Sequence, residues 1–292
     1  MIRRSNGERL FDALNAVFML FVIFVTVYPF WYLICASFSK NYLLVAHDGL
    51  LFWPQGFSLG AYKATVTYPL LITGYRNIFL ILILALPYNL IMTLFAGYFM
   101  AAKNMLFKKP IVFLLLFTMF FGGGLIPSYL NMRELGLYNN IWALVIPTGC
   151  SVYNSIIVKT AIEGVPDSLF ESAYIDGAND LYVLFRIVAH LIMPTLAVMV
   201  LYYGVGHWNS WFPAMIYITD NEKLPLQAVL RAILIANSDT LNKVNVESDI
   251  VDDFSETIKY SIIVIGTLPI LVSYPFLQKY FVKGVMIGAI KG

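Results

Sequence analysis

Five carboxylates, Glu163, Asp167, Glu171, Asp176 and Asp180, fall between residues 163 and 180 of a chain that is otherwise strongly apolar. Acids gathered this closely raise the question of catalysis or metal binding, and both need partner groups. None is in place. The histidines His47, His190 and His207 are scattered without ligand spacing and read as structural, and neither H-E-x-x-H nor G-x-S-x-G occurs. Cys35 and Cys150 sit inside apolar runs and read as small core residues, not as a disulfide or metal framework. No G-x-x-x-x-G-K-[ST] phosphate loop is present, so the chain shows no means of hydrolysing ATP itself. The chemistry left to these acids is recognition.

Their local spacing supports that reading. In hydrocarbon each acid would cost roughly 2.5–3.5 kcal/mol, and five together about 12–17 kcal/mol, so the segment lies in water or against another protein. Pro166-Asp167-Ser168 offers a helix start, and Ser168 with Glu171 fits an S-x-x-E capping box. Gly177 then closes the helix after about two turns by adopting the left-handed conformation. Isolated helices need about 12–15 residues to persist in water, so this one must be held by packing. Phe170, Ala173, Tyr174 and Gly177 share one face. Spacing alone leaves two readings open, a plain connector and an element that docks in a partner's groove.

The surroundings that must position this helix are membrane-like. The 292 residues are 60% hydrophobic and 12% charged, against about 45–50% and about 25% in an ordinary soluble domain. The net charge of +2 comes without a Lys/Arg cluster, which excludes a nucleic-acid footprint. A bilayer crossing needs about 20 mostly apolar residues. Six charge-free runs meet or approach that length: Ala13–Ser39, Asn77–Ala102, Pro110–Met132, Leu135–Val158, Ile187–Thr219 and Tyr260–Gln278. Ile187–Thr219 is too long for one straight crossing and is expected to bend near Gly206 and Pro213. The first run exceeds a signal-peptide core and should stay as an anchor.

Lys and Arg mark cytoplasmic ends. Arg3, Arg4, Arg9, Lys103, Lys108, Lys109, Lys159, Arg186, Lys279, Lys283 and Lys291 collect on one side, eleven against eight on the other, which makes both termini and the acidic helix cytoplasmic. Asn41–Tyr75 is then an external packed loop with short helices. Asp220–Glu256 is an external loop carrying eight acids against three basic residues. That acidic loop is either a solvated surface or a site for an ion or partner, without EF-hand spacing.

"ESAYIDGAND" followed by "RIVAHLIMPTLA" resembles the EAA motif of ABC importer permeases, with Glu171, Ala173, Gly177 and Ile187 in register. Ser172 replaces the middle motif residue. Ala189-His190 stands where the pattern has Leu-Pro, with Pro194 four residues further on. "PSYLNMRELGLYNNIWALVIP", "GHWNSWFPAMIYITDNEKLPLQAVL" and "YPFLQKYFVKGVMIGAIKG" are similar to the MalG-like branch of carbohydrate permeases, of the LplC/YtcP type.

The resemblance implies an all-α, six-span type I importer (MetI-like) permease fold, with both termini cytoplasmic. It implies residues 1–70 as the N-terminal tail, first span and first external loop, 71–283 as the permease core with a coupling helix at about 166–180, and 284–292 as a cytoplasmic tail. It further implies import of oligosaccharides, from complex or acidic polysaccharides. The implied partners are a second, different permease, a dimer of cytoplasmic ATPases that carry ATP and Mg, an external solute-binding protein and membrane lipid. No cofactor would bind this chain. ATPase contact would fall on Ser168, Glu171, Ser172, Ala173, Asp176, Gly177 and Ala178.

For the tail residues Gly284, Gly288 and Lys291, the readings are a frayed end or, by the resemblance, a contact with the ATPases. Trp208, Asn209 and Trp211, and Tyr153 and Asn154, are either interfacial and interior polar groups or the lining of a sugar path, since rings stack on sugar faces and amides bond hydroxyls. An ion-gradient transporter is the alternative class. It calls for acids inside the spans, and the six runs hold none.

Overall fold

In a computed structural model, which describes residues 6–103, 105–238 and 255–289, the described chain is all helix and turn, with no strand. That follows from the apolar runs, because in hydrocarbon every backbone polar group must bond within its own segment. The helices are α1 (Asn6–Ser37), α2 (Asn41–Val45), α3 (Gly60–Thr67), α4 (Pro69–Ala101), α5 (Lys108–Phe120), α6 (Leu125–Glu134), α7 (Trp142–Val145), α8 (Val152–Glu163), α9 (Asp167–Ile175), α10 (Asp180–Leu191), α11 (Met193–Trp208), α12 (Phe212–Tyr217), α13 (Leu226–Ser238) and α14 (Ser255–Ala289). Short 3-10 turns lie at Ile146–Thr148 and Asn221–Lys223.

Among the described residues, α1 and α4 are each long and apolar enough to cross a bilayer. The count rises to four if the bent pairs α5–α6 and α10–α11 are each one span. α14 is 35 residues long. Three charge-free runs are not continuous helices. Pro110–Met132 turns by 116° between α5 and α6, where Gly122-Gly123-Gly124 ends the helix and Gly124 takes φ +89°. Leu135–Val158 breaks between α7 and α8, around Pro147 in its 3-10 turn. Ile187–Thr219 bends by 86° at Ile192, well before the expected position, and breaks again between Trp208 and Phe212. Apolar composition sets where the chain is greasy. Gly and Pro decide where it turns.

The chain divides into two compact units, Met1–Pro69 with Ala232–Leu268, and Leu70–Arg231 with Pro269–Gly292. In the first, Cys35, Ala36, Leu44 and Leu51 form a core against which Tyr32 and Tyr260 pack. Of the expected loop Asn41–Tyr75, residues 41–68 hold the short helices α2 and α3, while from Pro69 onward the chain is already α4. Ser39 Oγ donates to the Cys35 carbonyl at 2.7 Å and accepts from Gln55 N–H at 2.9 Å, and the Thr65 and Ser261 hydroxyls meet at 2.8 Å. By contrast, α1 leaves its large side chains exposed along most of its length, from Leu10 to Trp31. An apolar surface of that extent needs an apolar environment to cover it.

The second unit has two cores. One joins Leu94 of α4, Val158 and Ile162 of α8, Ala173 of α9, Val183, Leu184 and Val188 of α10, and Met199 and Tyr203 of α11. The other joins Ile81 and Ala85 of α4 to Leu144, Val145, Ala214, Ile218 and Ala228. α4 and α8 touch at Gly97, where an added Cβ would lie 2.6 Å from Val158 Cγ1. Buried polar groups pair within this unit. Asn89 donates to the Thr148 carbonyl at 2.6 Å and meets His207 Nε2 at 2.9 Å, while Tyr203 Oη lies 2.6 Å from Thr93 Oγ1 and accepts from Ser151 N–H at 3.0 Å. Cys35 is a core residue, but Cys150 is exposed, with Sγ 3.3 Å from Ser155 Oγ.

Candidate functional site

The acidic segment folds as α9, a turn, and the start of α10. α9 begins two residues earlier than a capping box at Ser168 requires. Pro166 is the N-cap at φ −59° and ψ 132°, without a side-chain cap bond, so Ser168 lies inside the first turn and the expected S-x-x-E box is absent. Proline fixes that boundary, and Asp167 places a negative charge beside the free N–H groups instead. Asp167 also pairs with Lys103 at 2.6 Å. Both side chains are exposed, so the pair contributes little.

The other end follows the sequence. Gly177 takes φ +79°, its N–H donates to the Tyr174 carbonyl at 3.0 Å, and Ala178 N–H donates to the Ala173 carbonyl at 2.9 Å. This pair of bonds is a Schellman closure. Asn179 then caps α10, its side-chain oxygen accepting from Tyr182 N–H at 2.8 Å. Tyr174 Oη donates to Asp180 Oδ1 at 2.7 Å and lies 3.1 Å from Tyr98 Oη, which ties the turn to α4. Burial pushes the Tyr174 hydroxyl above its ordinary pKa, and its bond with Asp180 adds to that rise, so it stays a neutral donor.

The face of α9 that spacing singled out as an apolar knob is buried at Ala173 and half-buried at Phe170, while Tyr174 and Gly177 stay exposed. Ala173 is 7% exposed, and Phe170 and Ala178 pack on the same core of α4, α8 and α10 residues. The helix is therefore held by its own chain. Ser168, Glu171, Ser172 and Asp176 are exposed, and Ile175 is 85% exposed. Leu181 and Tyr182 of α10 are also exposed. A helix showing Ile175, with the less exposed Leu169 and Tyr174, among polar neighbours is suited to docking.

Beyond the turn, residues Val183–Val188 form a π-helical stretch. At the motif departure, Ala189 packs against the core and His190 is exposed. The bend falls at Ile192, and Pro194 stands in the first turn of α11, so a proline four residues downstream opens the next helix.

The residues proposed from sequence for a sugar path pack with different neighbours. Tyr153 is exposed and Asn154 is buried on α8. Trp208 is buried against the rings of Tyr75 and Phe79, with centroids at 6.4 and 6.1 Å, and borders an apolar cavity of about 260 Å³ with Leu86, Gly204 and Pro269. Asn209 is exposed, whereas Trp211 lies under the Arg231 guanidinium at 3.6 Å. Of the tail residues, Gly284 and Gly288 continue the backbone of α14, and Lys291 lies outside the described residues. Sequence reasoning missed the Asn89–His207 pair and a polar basin around Arg76, Asn139 and Lys223. Asn89 inside a charge-free run was the available signal for the first.

No family model matches the chain. It is 35% identical to the polygalacturonan/rhamnogalacturonan transport system permease protein YtcP of Bacillus subtilis (strain 168), over 98% of this chain and 99% of that protein. It is 37% identical to protein LplC of the same organism, over 100% of this chain and 98% of that protein. Among solved structures it resembles a bacterial ABC transporter involved in the import of the acidic polysaccharide alginate, with a TM-score of 0.86, 29% identity, and coverage of 96% of this chain and 100% of that one. A bacterial alginate ABC transporter in complex with an alginate pentasaccharide-bound periplasmic protein shares the fold, with a TM-score of 0.54 at 17% identity.

Proposed function

The chain belongs to the membrane permease subunits of MalG-like sugar ABC importers, and on that premise we propose that it forms half of the pathway of an ATP-driven importer of oligosaccharides released from complex or acidic polysaccharides. The relatives named for polygalacturonan, rhamnogalacturonan and alginate support the substrate class. The finer organisation we propose is six spans with both termini in the cytoplasm, divided at about residues 70 and 283, and a second, different permease beside this one. Two cytoplasmic ATPases would hold ATP and Mg, an external solute-binding protein would deliver the sugar, and this chain would bind no cofactor.

One observation carries the coupling role, namely the seating of α9. Phe170 and Ala173 fix it to the permease core, while Glu171, Ser172 and Ile175 are left facing out. A helix anchored on one side and open on the other transmits a push from a partner into α4, α8 and α10. In this mechanism, ATP-driven closure of the two ATPases draws the coupling helices together. It shifts the spans toward the state in which the ATPase dimer is closed, as differential affinity for two states requires. Ser168, Asp176, Gly177 and Ala178 complete the contact surface and its turn. Gly284, Gly288 and Lys291 are proposed as a second contact with the ATPases. Tyr153, Asn154, Trp208, Asn209 and Trp211 remain proposed path residues, Asn154 and Trp208 the least available because both are buried.

The test is uptake of labelled trigalacturonate by proteoliposomes that contain this chain, its partner permease, the ATPases and the solute-binding protein. Uptake should require internal ATP and survive a proton uncoupler. Uptake that persists without ATP and collapses with the uncoupler would favour the ion-gradient class.

A further inference from the structure

Arg76, Asn77 and Leu80 of α4, Asn139, Asn140 and Ile141 from the connection between α6 and α7, and Lys223 line a cavity of about 310 Å³. Its polar wall consists mostly of donors, with the Asn77 side-chain oxygen as an acceptor among them. Asn139, held at φ +56°, spends its side-chain oxygen on the N–H groups of Thr219 at 3.2 Å and Asp220 at 3.0 Å, which leaves its NH2 as the group still available. Asn140 likewise spends its oxygen on Trp142 N–H at 3.2 Å. Asn77 uses its NH2 on the carbonyls of Glu222 at 2.7 Å and Leu224 at 3.0 Å, which fixes the Lys223 turn against α4.

Two cations complete the wall. Lys223 Nζ lies 3.3 Å from Asp220 Oδ2 and 3.3 Å from the Asn139 carbonyl, so it is held in place while half exposed. Among the described residues, no carboxylate lies within ion-pair distance of Arg76. No acid lines the cavity itself, and Leu80 and Ile141 supply an apolar patch. A planar guanidinium and an ammonium match a carboxylate, amide NH2 groups match hydroxyl oxygens, and the apolar patch matches the C–H face of a sugar ring.

We infer that this basin is a subsite for a uronate residue of an acidic oligosaccharide, with Arg76 and Lys223 on the carboxylate and Asn139 and Asn140 on ring hydroxyls. The inference rests on the importer reading, which puts this end of α4 on the outer side of the membrane. The concave shape favours a sugar over an acidic side chain of the solute-binding protein, which is the competing occupant.

Binding of trigalacturonate to the assembled transporter in nanodiscs, without solute-binding protein, tests it, with the fully methyl-esterified trisaccharide as the uncharged control. The wild type should bind the acid and discriminate against the ester, and Arg76→Gln with Lys223→Gln together should weaken acid binding by about tenfold or more, as loss of charge-assisted bonds predicts. Arg76→Lys with Lys223→Arg should restore binding at least in part, which separates charge from misfolding. Equal binding of acid and ester, or an unchanged affinity in the double glutamine variant, overturns the subsite. So does a result in which the double variant loses only its affinity for the solute-binding protein. ATP-dependent uptake is scored separately. Uptake of neutral oligosaccharides with no acid binding removes the subsite and keeps the importer, whereas no uptake of any glycan removes the importer reading and leaves the binding comparison to judge the basin.

Discussion

Ala178 donates its backbone N–H to the carbonyl of Ala173 at 2.9 Å, closing α9 one turn before the chain re-enters the core through α10. Both residues pack on the same cluster, so the turn and the anchor of the helix are one structure. The consequences of altering it can be separated into backbone, packing and surface effects.

Gly177 sits at φ +79°, and a Cβ there would meet nothing within 4 Å. The constraint is therefore conformational. Gly177→Val should strain the turn by about 1–2 kcal/mol and lower sugar-stimulated ATP hydrolysis in reconstituted membranes, while Gly177→Asn should be nearly silent. Equal activity of the valine and asparagine variants would contradict this assignment.

Ala173 and Ile175 lie on opposite faces of α9, and their substitutions should differ in kind. Ala173→Leu overfills a packed site and should lower thermal stability by about 1–3 kcal/mol, together with ATPase association. Ile175→Glu alters a side chain that is 85% exposed, so the melting temperature should hold while co-purification of the ATPases falls. Loss of stability in the Ile175 variant would mean that the outward face is not a docking face.

Gly97 brings α4 against α8. A Cβ would lie 2.6 Å from Val158 Cγ1 and 3.0 Å from Val158 Cβ. Gly97→Val should destabilise the purified protein by about 1–3 kcal/mol, and adding Val158→Ala should recover part of that loss. Additive losses in a double-mutant cycle would show that the two helices do not press together there.

Asn89 is fully buried and joins the Thr148 carbonyl to His207. Because its NH2 is committed to Thr148, its oxygen accepts, which puts the His207 proton on Nε2. Asn89→Ala should cost about 1–3 kcal/mol, measured by thermal unfolding in detergent, since it leaves a buried donor unpaired. His207→Gln, which keeps a donor, should cost less than His207→Leu.

The sequence by itself determined that the chain is helical and membrane-bound. Residues that cannot lie in lipid cannot be rearranged by packing, so the acidic segment between Glu163 and Asp180 had to be outside it. It also fixed the end of α9, because few residues other than glycine accept the backbone angles at Gly177. Only the tertiary structure decided which way that helix faces. Phe170, Ala173 and Tyr174 form the same stripe whether they meet a partner or their own core, and periodicity cannot distinguish the two.

The start of α9 departs from the spacing of its side chains for a related reason. Ser168 and Glu171 have the spacing of a capping box, but Pro166 set the boundary first. Composition likewise marked the apolar runs without their bends, since the angles at Gly124 and Ile192 depend on what packs beside them. The donor-lined basin joins residues 76, 139, 140 and 223, distant in sequence and individually unremarked, and only folding brings their chemistry together.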